Sequence, residues 1–174
     1  MRIFLLLLLC LTVLWPLSAG AKTPGEVGVG QLLRAAKLHS LTGADRHFSD
    51  YRGKPLIINV WASWCGPCRA EMSSLNRLAQ YYGGRQFNVI GISIDDDARA
   101  AKHFISQNKL RFESFIDSNV FLENMLGADA IPLTLLIDAQ GRVLEKVRGA
   151  YEWDSPETVG AIGQVFHLKL KHQH

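Results

Sequence analysis

Two cysteines, Cys65 and Cys68, lie three positions apart in the segment Trp64-Cys65-Gly66-Pro67-Cys68, soon after an apolar run that ends at Trp61. The residues that follow have an amphipathic helical pattern, which places Cys65 at a helix N-terminus. Unpaired N–H groups and the helix dipole favour a thiolate there. Lowering a cysteine pKa from about 8.5 to about 7 raises the thiolate fraction at neutral pH from roughly 3% to half. We therefore expect Cys65 to be a nucleophile, and Cys68, one turn along the same face, to attack a mixed disulfide formed at Cys65.

The elements that must position this motif follow an α/β pattern. Leu56–Trp61 is a nearly continuous apolar run, typical of a strand buried on both faces. The helix after it is predicted to end at Gly83-Gly84, and a last helix to begin at Ser155 as N-cap with Pro156 in its first turn. The whole order is β-hairpin, β, α, β, α, β, α, β, β, α. Crossover helices between apolar strands indicate a mixed central sheet with helices on both faces.

The individual predictions follow from apolar periodicity and turn residues. A hairpin turn is predicted at 40–45 and another at 138–141, where Gly141 suits the left-handed position. The predicted strands are 34–38, 46–48, 56–61, 87–94, 113–116, 133–137 and 142–147, and a short helix covers 120–126.

The N-terminus has the pattern of an export signal. Arg2 is followed by a 15-residue apolar run, Ile3–Leu17, and by the small-x-small sequence Ala19-Gly20-Ala21. The run is shorter than the roughly 20 residues of a spanning helix. We predict a cleaved signal peptide over 1–21. The alternatives are an uncleaved membrane anchor and a lipoprotein attached at Cys10, where the preceding Leu9 is bulkier than such a site favours.

Cleavage would leave a chain of single-domain size with a linker at 22–32, a folded domain at 33–168 and a basic tail at 169–174. It would also remove Cys10, so that the mature protein holds only Cys65 and Cys68. An exported chain with a single cysteine pair does not match a scaffold held together by several disulfides. The pair is therefore expected to do exchange chemistry.

Charge and metal-ligand patterns exclude several other classes. The formal net charge is +3, and no basic stripe with interleaved aromatic residues indicates nucleic-acid binding. Asp95-Asp96-Asp97 is interpreted as a helix cap with acids in the first turn and not as a metal site. The His-containing tail is interpreted as a solvated terminus. The other histidines show no ligand spacing with the cysteines: His39, His47 and His103. No metal or other cofactor is predicted.

The motif and its surroundings resemble the thioredoxin superfamily, and within it the exported TlpA/ResA-like (DsbE/CcmG-like) thiol:disulfide oxidoreductases. The segment Trp61–Glu71 is similar to the active-site segment of the family almost residue for residue. Ile131-Pro132 matches the position of the family's cis-proline, and the residues at 113–127 resemble its central insert. The resemblance runs from about Leu33 to Phe166 and implies a thioredoxin-like α/β fold with an N-terminal β-hairpin.

A departure from cytosolic thioredoxin concerns the acid near the buried cysteine. Cytosolic thioredoxin has a buried Asp at the position that Asn59 occupies in this chain. Unlike that Asp, Asn59 cannot take a proton. TlpA/ResA-like proteins tend to have Asn there and a Glu three residues after the second cysteine, a position matched by Glu71. Its spacing from Cys68 allows the carboxylate to face the thiol across one helical turn. The alternative interpretation is an acid that complements the helix dipole.

The remaining site residues are assigned to substrate binding. Gly66 and Pro67 keep the loop tight, and Pro67 loses no helical hydrogen bond in a first turn. Trp64 is expected to shield the disulfide and offer an apolar docking surface, whereas Trp61 is predicted in the core. If Pro132 is cis, the backbone of Ile131 is expected to pair with an extended substrate, with Ile131 and Leu133 shaping the groove.

The resulting hypothesis is a periplasmic thiol:disulfide oxidoreductase that reduces other exported proteins. By resemblance, its clients are cysteine pairs destined for haem attachment or copper binding, and a membrane thiol donor re-reduces it. The nearest alternative is an oxidant of the same fold that installs disulfides. A peroxidase is disfavoured because Ala62 stands where that class has Thr, and a copper-binding chaperone because no partner His is evident. The chain is expected to be a monomer and to contact a membrane only if its N-terminal segment is retained.

Overall fold

The structure is a computed structural model that describes residues 25–171, and within these residues seven strands form one sheet in the order β2-β1-β5-β4-β3-β6-β7. The strands are β1 Lys37–Ser40, β2 Arg46–His47, β3 Leu56–Trp61, β4 Asn88–Ser93, β5 Glu113–Ile116, β6 Leu133–Ile137 and β7 Val143–Arg148. The helices are α1 Gly66–Tyr82, α2 Ala98–Gln107, α3 Phe121–Leu126 and α4 Pro156–Phe166. The predicted order of elements and the mixed sheet are confirmed.

The strand that leads to the cysteines lies inside the sheet. β3 pairs in parallel with β4 and antiparallel with β6, with Asn59 opposite both Gly91 and Thr134. β4 in turn pairs in parallel with β5. The carboxyl ends of β3, β4 and β5 therefore meet at the same edge of the sheet, and Cys65 follows the first of them.

The core has two parts, one on each face of the sheet. Alternate residues of β3 point to opposite faces, so Ile57 and Trp61 pack with the apolar sides of α1, α2 and α4. Ile58 and Val60 pack on the other face with α3 and with a short 3-10 turn, Phe48–Tyr51. This burial on both faces explains why the strand has an almost unbroken apolar sequence. The predicted core position of Trp61 is confirmed.

Several helices begin or end at the residues from which their boundaries were predicted. α1 ends at Gly83 as C-cap, α3 ends at Gly127 with φ 72°, and Ser155 caps α4 by accepting a hydrogen bond from Thr158 N–H. The first hairpin strand lies further along the chain than predicted, at Lys37–Ser40. Its position follows from its pairing with β5, in which His39 lies opposite Ile116.

The ends of the described chain pack against the domain. Val27, within the segment predicted as a linker, is buried, and its N–H donates to Met125 O at 2.9 Å. Near the C-terminus, Tyr82 Oη donates to Lys171 O at 2.7 Å, so the first part of the predicted tail is held against α1. The predicted signal peptide lies outside the described residues. Within 25–171, no helix has the length and apolar character needed to cross a membrane.

Candidate active site

Cys65 and Cys68 are joined by a disulfide at the N-terminus of α1. Cys65 is the N-cap residue in an extended conformation, and its Sγ accepts a hydrogen bond from Cys68 N–H at 3.2 Å. Gly66 and Pro67 are the first helical residues, where no intrahelical partner is required of their nitrogen atoms. The Cys65 residue is 6% exposed and Cys68 is 0% exposed. An attacking sulfur from another molecule can therefore reach only Cys65.

Three predicted substrate-binding residues surround Cys65. Trp64 precedes it and is 66% exposed, unlike the fully buried Trp61. On the other side, Ile131 O lies 3.8 Å from Cys65 Sγ, and the Ile131–Pro132 peptide bond is cis. The structure thus brings together the CxxC segment and the proline that the sequence places more than sixty residues away.

Glu71 is buried in the middle of a polar cluster under α1. The residue is 2% exposed, and its Oε1 accepts a hydrogen bond from Asn59 Nδ2 at 2.8 Å. Its Oε2 accepts from Trp153 Nε1 at 2.9 Å and from Tyr151 N–H at 3.1 Å. Burial raises the pKa of Glu71, and the hydrogen bonds from Trp153, Asn59 and Tyr151 oppose that rise.

The helix-dipole interpretation of Glu71 is wrong. The first turn of α1 contains no acidic residue, and Glu71 lies beyond it with its carboxylate withdrawn from solvent. Instead, the carboxylate joins α1 to β3 and to the loop before α4. Sequence reasoning did not identify Tyr151 and Trp153 as its partners, because they follow it by about eighty positions and no local pattern connects them.

Asn59 carries a buried polar atom with no partner. Its Nδ2 donates to Glu71 and also to Thr134 Oγ1 at 2.9 Å, across the β3–β6 pair. Its Oδ1 accepts no hydrogen bond from any of the described residues. Buried polar atoms without a partner are uncommon in folded proteins. The amide thus takes the place of the acid expected from cytosolic thioredoxin and binds the carboxylate that α1 supplies.

Asp95 has a different role from the one predicted. Only Asp97 caps α2, by accepting from Arg99 N–H, and the first turn of that helix contains no acid. Asp95 is buried and accepts hydrogen bonds from Ser63 N–H at 3.0 Å, from Ser63 Oγ at 2.6 Å and from Ser93 Oγ at 2.7 Å. It therefore holds the segment between β3 and the cysteines. The sequence feature that could have indicated this role is the position of Asp95 just after a buried strand, at the edge where β3 also ends.

The described residues contain no group of three or more His, Cys, Asp or Glu side chains arranged to hold a metal ion. Asp95 binds Ser63 and Ser93, Asp97 binds Arg99, and Asp96 is exposed, so the three acids do not converge on one point. The chemistry available at this site is that of the two sulfur atoms.

Known proteins of similar sequence carry the same chemistry. The sequence model of the AhpC/TSA family matches residues 29–146. The thiol-disulfide oxidoreductase ResA of Bacillus thuringiensis subsp. konkukian (strain 97-27) is 30% identical over 149 residues, covering 85% of this chain and 86% of that protein. The thiol:disulfide interchange protein DsbE of Yersinia pestis is 34% identical over 146 residues, covering 80% of this chain and 76% of that protein.

A solved structure agrees with the fold. A Chlorobium tepidum protein described as a DsbE-type thiol:disulfide interchange protein superposes with a TM-score of 0.73 at 26% identity, covering 80% of this chain and 99% of that one. The chain therefore belongs to the thioredoxin-like AhpC/TSA family and is a thiol-disulfide oxidoreductase of the ResA/DsbE type.

Proposed function

We propose that this protein is a periplasmic reductant of disulfides in other exported proteins. The observation that carries the proposal is the asymmetry of the two sulfurs. Cys65 caps α1 and is the only one of the pair that another molecule can reach, while Cys68 is fully buried one turn away. This is the arrangement expected of an attacking thiol and a resolving thiol. The apolar N-terminal run and the named ResA and DsbE relatives support export.

The reaction transfers two electrons from the protein dithiol to a client disulfide. The Cys65 thiolate attacks one client sulfur, and the other client sulfur leaves as a thiolate that takes a proton from solvent. Cys68 then loses its proton and attacks Cys65 Sγ, which breaks the mixed disulfide and releases the second client thiolate. The product is the Cys65–Cys68 disulfide that the structure contains. A membrane thiol donor must reduce it again, because the periplasm is kept oxidising.

The helix start stabilises the attacking thiolate. Cys68 N–H points at Cys65 Sγ, and the adjacent first-turn N–H groups of α1 have no carbonyl partner within the helix. Both effects favour negative charge on that sulfur in the reduced protein. Gly66 and Pro67 keep the two sulfurs within bonding distance.

Glu71 is proposed as the group that assists Cys68. Its raised pKa brings the carboxyl closer to the pH range in which a buried thiol must lose its proton. Trp64, Ile131 and Pro132 are proposed to contact the client, because they border the reachable sulfur. Trp64 and Ile131 also present apolar surface. The clients we propose are cysteine pairs that receive haem or copper, as the resemblance to TlpA/ResA-like proteins implies.

The first test traps the intermediate. In a Cys68→Ala variant, the mixed disulfide cannot be resolved, so exported client proteins should accumulate on Cys65 and be recovered by non-reducing electrophoresis. The matched Cys65→Ala variant removes the attacking sulfur and should trap nothing. If the Cys68→Ala variant also traps nothing in cells, dithiol exchange with proteins is contradicted.

The second test fixes the direction of electron flow. The equilibrium potential of the pair is measured by thiol labelling in graded redox buffers. A value toward that of thioredoxin, about −270 mV, supports a reductant, whereas a value near about −120 mV would identify an oxidant that installs disulfides. The second result would reverse the proposed flow and leave the roles of the two cysteines unchanged.

A further inference from the structure

The carboxyl edge of the sheet presents exposed apolar residues on the segments that follow β3 and β5. Val120 and Phe121, at the start of α3, are 53% and 50% exposed, and Trp64 is the most exposed aromatic residue next to the site. Large apolar side chains grouped on a surface favour contact with another molecule. Val120 and Phe121 belong to the predicted central insert, and they add exposed apolar surface to that of Trp64.

Direct contacts connect this part of the insert to the cysteine segment. Asp117 N–H donates to Ser93 O at 2.8 Å, and the Asp117 carboxylate accepts hydrogen bonds from Phe121 N–H and Glu123 N–H. Ser93 Oγ binds Asp95, which in turn holds Ser63 beside Trp64. The apolar residues of α3 and Trp64 therefore lie on successive segments of the same edge.

The same edge carries more carboxylates than unpaired cations. Glu123 N–H donates to Asp117 Oδ2 at 2.7 Å, and Asp96 directly follows Asp95, whose carboxylate accepts a hydrogen bond from Ser93 next to Asp117. Burial raises the pKa of Glu123, and the charges of Asp117 and Asp96 raise it further. Glu123 and Asp96 form no hydrogen bond or ion pair through their carboxylates with any described residue.

Two cations of the neighbouring segments are already paired. Arg99 binds Asp97, and Lys37 on β1 binds Asp45. Arg69, next to Cys68, and Lys102 on α2 have no ion pair within the described residues. The carboxylates of Asp95, Asp96, Asp117 and Glu123 have none there either, and they outnumber these two cations. An approaching polypeptide therefore meets apolar side chains in a field of negative charge.

We propose that this edge, comprising Trp64, Asp96, Val120, Phe121 and Glu123, is a docking surface for client segments in which apolar and basic residues flank the disulfide. The proposal rests on the proposed function and narrows its substrate class. Apolar side chains of the client would cover Val120, Phe121 and Trp64, and a Lys or Arg would lie against Glu123 and Asp96. The client disulfide is then delivered to Cys65.

The test uses three oxidised peptides, each of which contains one disulfide flanked by Leu. The peptides differ only in their two outermost residues, which are both Lys, both Ser or both Glu. Reduced protein is mixed with each peptide and the rate of disulfide transfer is measured. Wild-type protein should react about tenfold faster with the Lys peptide than with the Glu peptide at low ionic strength. The ratio should approach one near 1 M salt, because the screening length falls to roughly 3 Å.

Two variants separate the charged and apolar parts of the surface. D96N/E123Q should bring the Lys-to-Glu ratio to about two or less. V120G/F121S should slow all three peptides several-fold and keep the ratio. Val120 has φ 55°, a conformation that Gly adopts without strain, so this variant is expected to fold. The control E145Q/E157Q neutralises exposed acids on β7 and α4 and should change neither the rates nor the ratio.

Equal wild-type rates with the three peptides at low salt, or an unchanged ratio in D96N/E123Q, would reject the docking surface while leaving dithiol exchange intact. If wild-type protein reduces none of the peptides, the proposed function itself fails, and the docking surface fails with it.

Discussion

Trp153 donates its indole N–H to Glu71 Oε2 at 2.9 Å, joining the loop before α4 to the middle of α1. Both side chains are almost completely buried. The loop is attached a second time at the surface, where Arg77 of α1 binds Asp154 Oδ2 at 2.5 Å. The buried carboxylate therefore has a structural partner that is independent of the cysteines. Its contribution to stability and its contribution to redox chemistry can be measured separately.

Trp153→Phe removes this donor and keeps most of the aromatic volume. Hydrogen bonds to charged groups contribute about 1.5–3 kcal/mol, so we expect the free energy of unfolding at neutral pH to fall by about that amount. Urea denaturation of the oxidised protein measures it. Tyr151→Phe is the matched control, because Tyr151 contributes only its backbone N–H to Glu71 and its ring is partly exposed. A loss for Tyr151→Phe as large as for Trp153→Phe would contradict the assignment.

Glu71→Gln should change how stability depends on pH. The pKa of Glu71 is raised in the folded protein, so the folded state binds more protons than the unfolded state above the unfolded pKa of about 4.3. Glu71 therefore makes the unfolding free energy of wild-type protein fall as pH rises toward the folded pKa. Gln does not titrate, so the variant lacks this pH dependence. The unfolding free energy of the variant minus that of wild type should increase with pH from about 4 upward. A flat difference between pH 4 and 8 would show that burial does not perturb this carboxyl.

Asp95→Ala should destabilise the segment that leads to the cysteines. The substitution leaves Ser63 N–H, Ser63 Oγ and Ser93 Oγ without their acceptor, and we expect a loss of about 2–4 kcal/mol in unfolding free energy. Asp96→Ala, one residue further, removes an exposed side chain and should change stability by no more than about 0.5 kcal/mol. Thermal unfolding of the two oxidised variants gives the comparison, and equal losses would argue against the buried network.

Two glycines offer a paired test of packing. A Cβ at Gly91 would lie 2.9 Å from Trp61 Nε1 and from Phe112 Cε2, whereas a Cβ at Gly160 on α4 meets nothing within 4 Å. Gly91→Ala should therefore cost about 1–3 kcal/mol by overpacking. Gly160→Ala should add about 0.5–1 kcal/mol through helix propensity. Melting temperatures that shift in the same direction for both would refute the described packing around Trp61.

Sequence patterns predicted the fold well where local chemistry decides the structure. The apolar run of β3, the capping Ser155 and the glycines that end α1 and α3 act within a few residues of their own position. The 3-10 turn Phe48–Tyr51 was missed because four residues are too short to show a period. In the site, the cysteines and the cis peptide bond before Pro132 were predicted from motif and resemblance.

Long-range partners were not predictable in the same way. Asp95 and Asp97 belong to the same acidic run after β4, yet one is buried against Ser63 and the other caps α2. The difference arises from the parallel pairing of β3 with β4, which brings their carboxyl ends together. The contacts of Glu71 likewise depend on where the loop before α4 folds back.

The burial of Cys68 has a consequence for turnover. If client and electron donor both react with Cys65, the one sulfur of the Cys65–Cys68 pair that is within reach, electrons enter and leave through a single atom. The two partners must then occupy the same place in turn, and no complex containing both can form around the site. Turnover should follow a ping-pong pattern, in which an excess of either partner in its unreactive redox form slows the other half of the cycle.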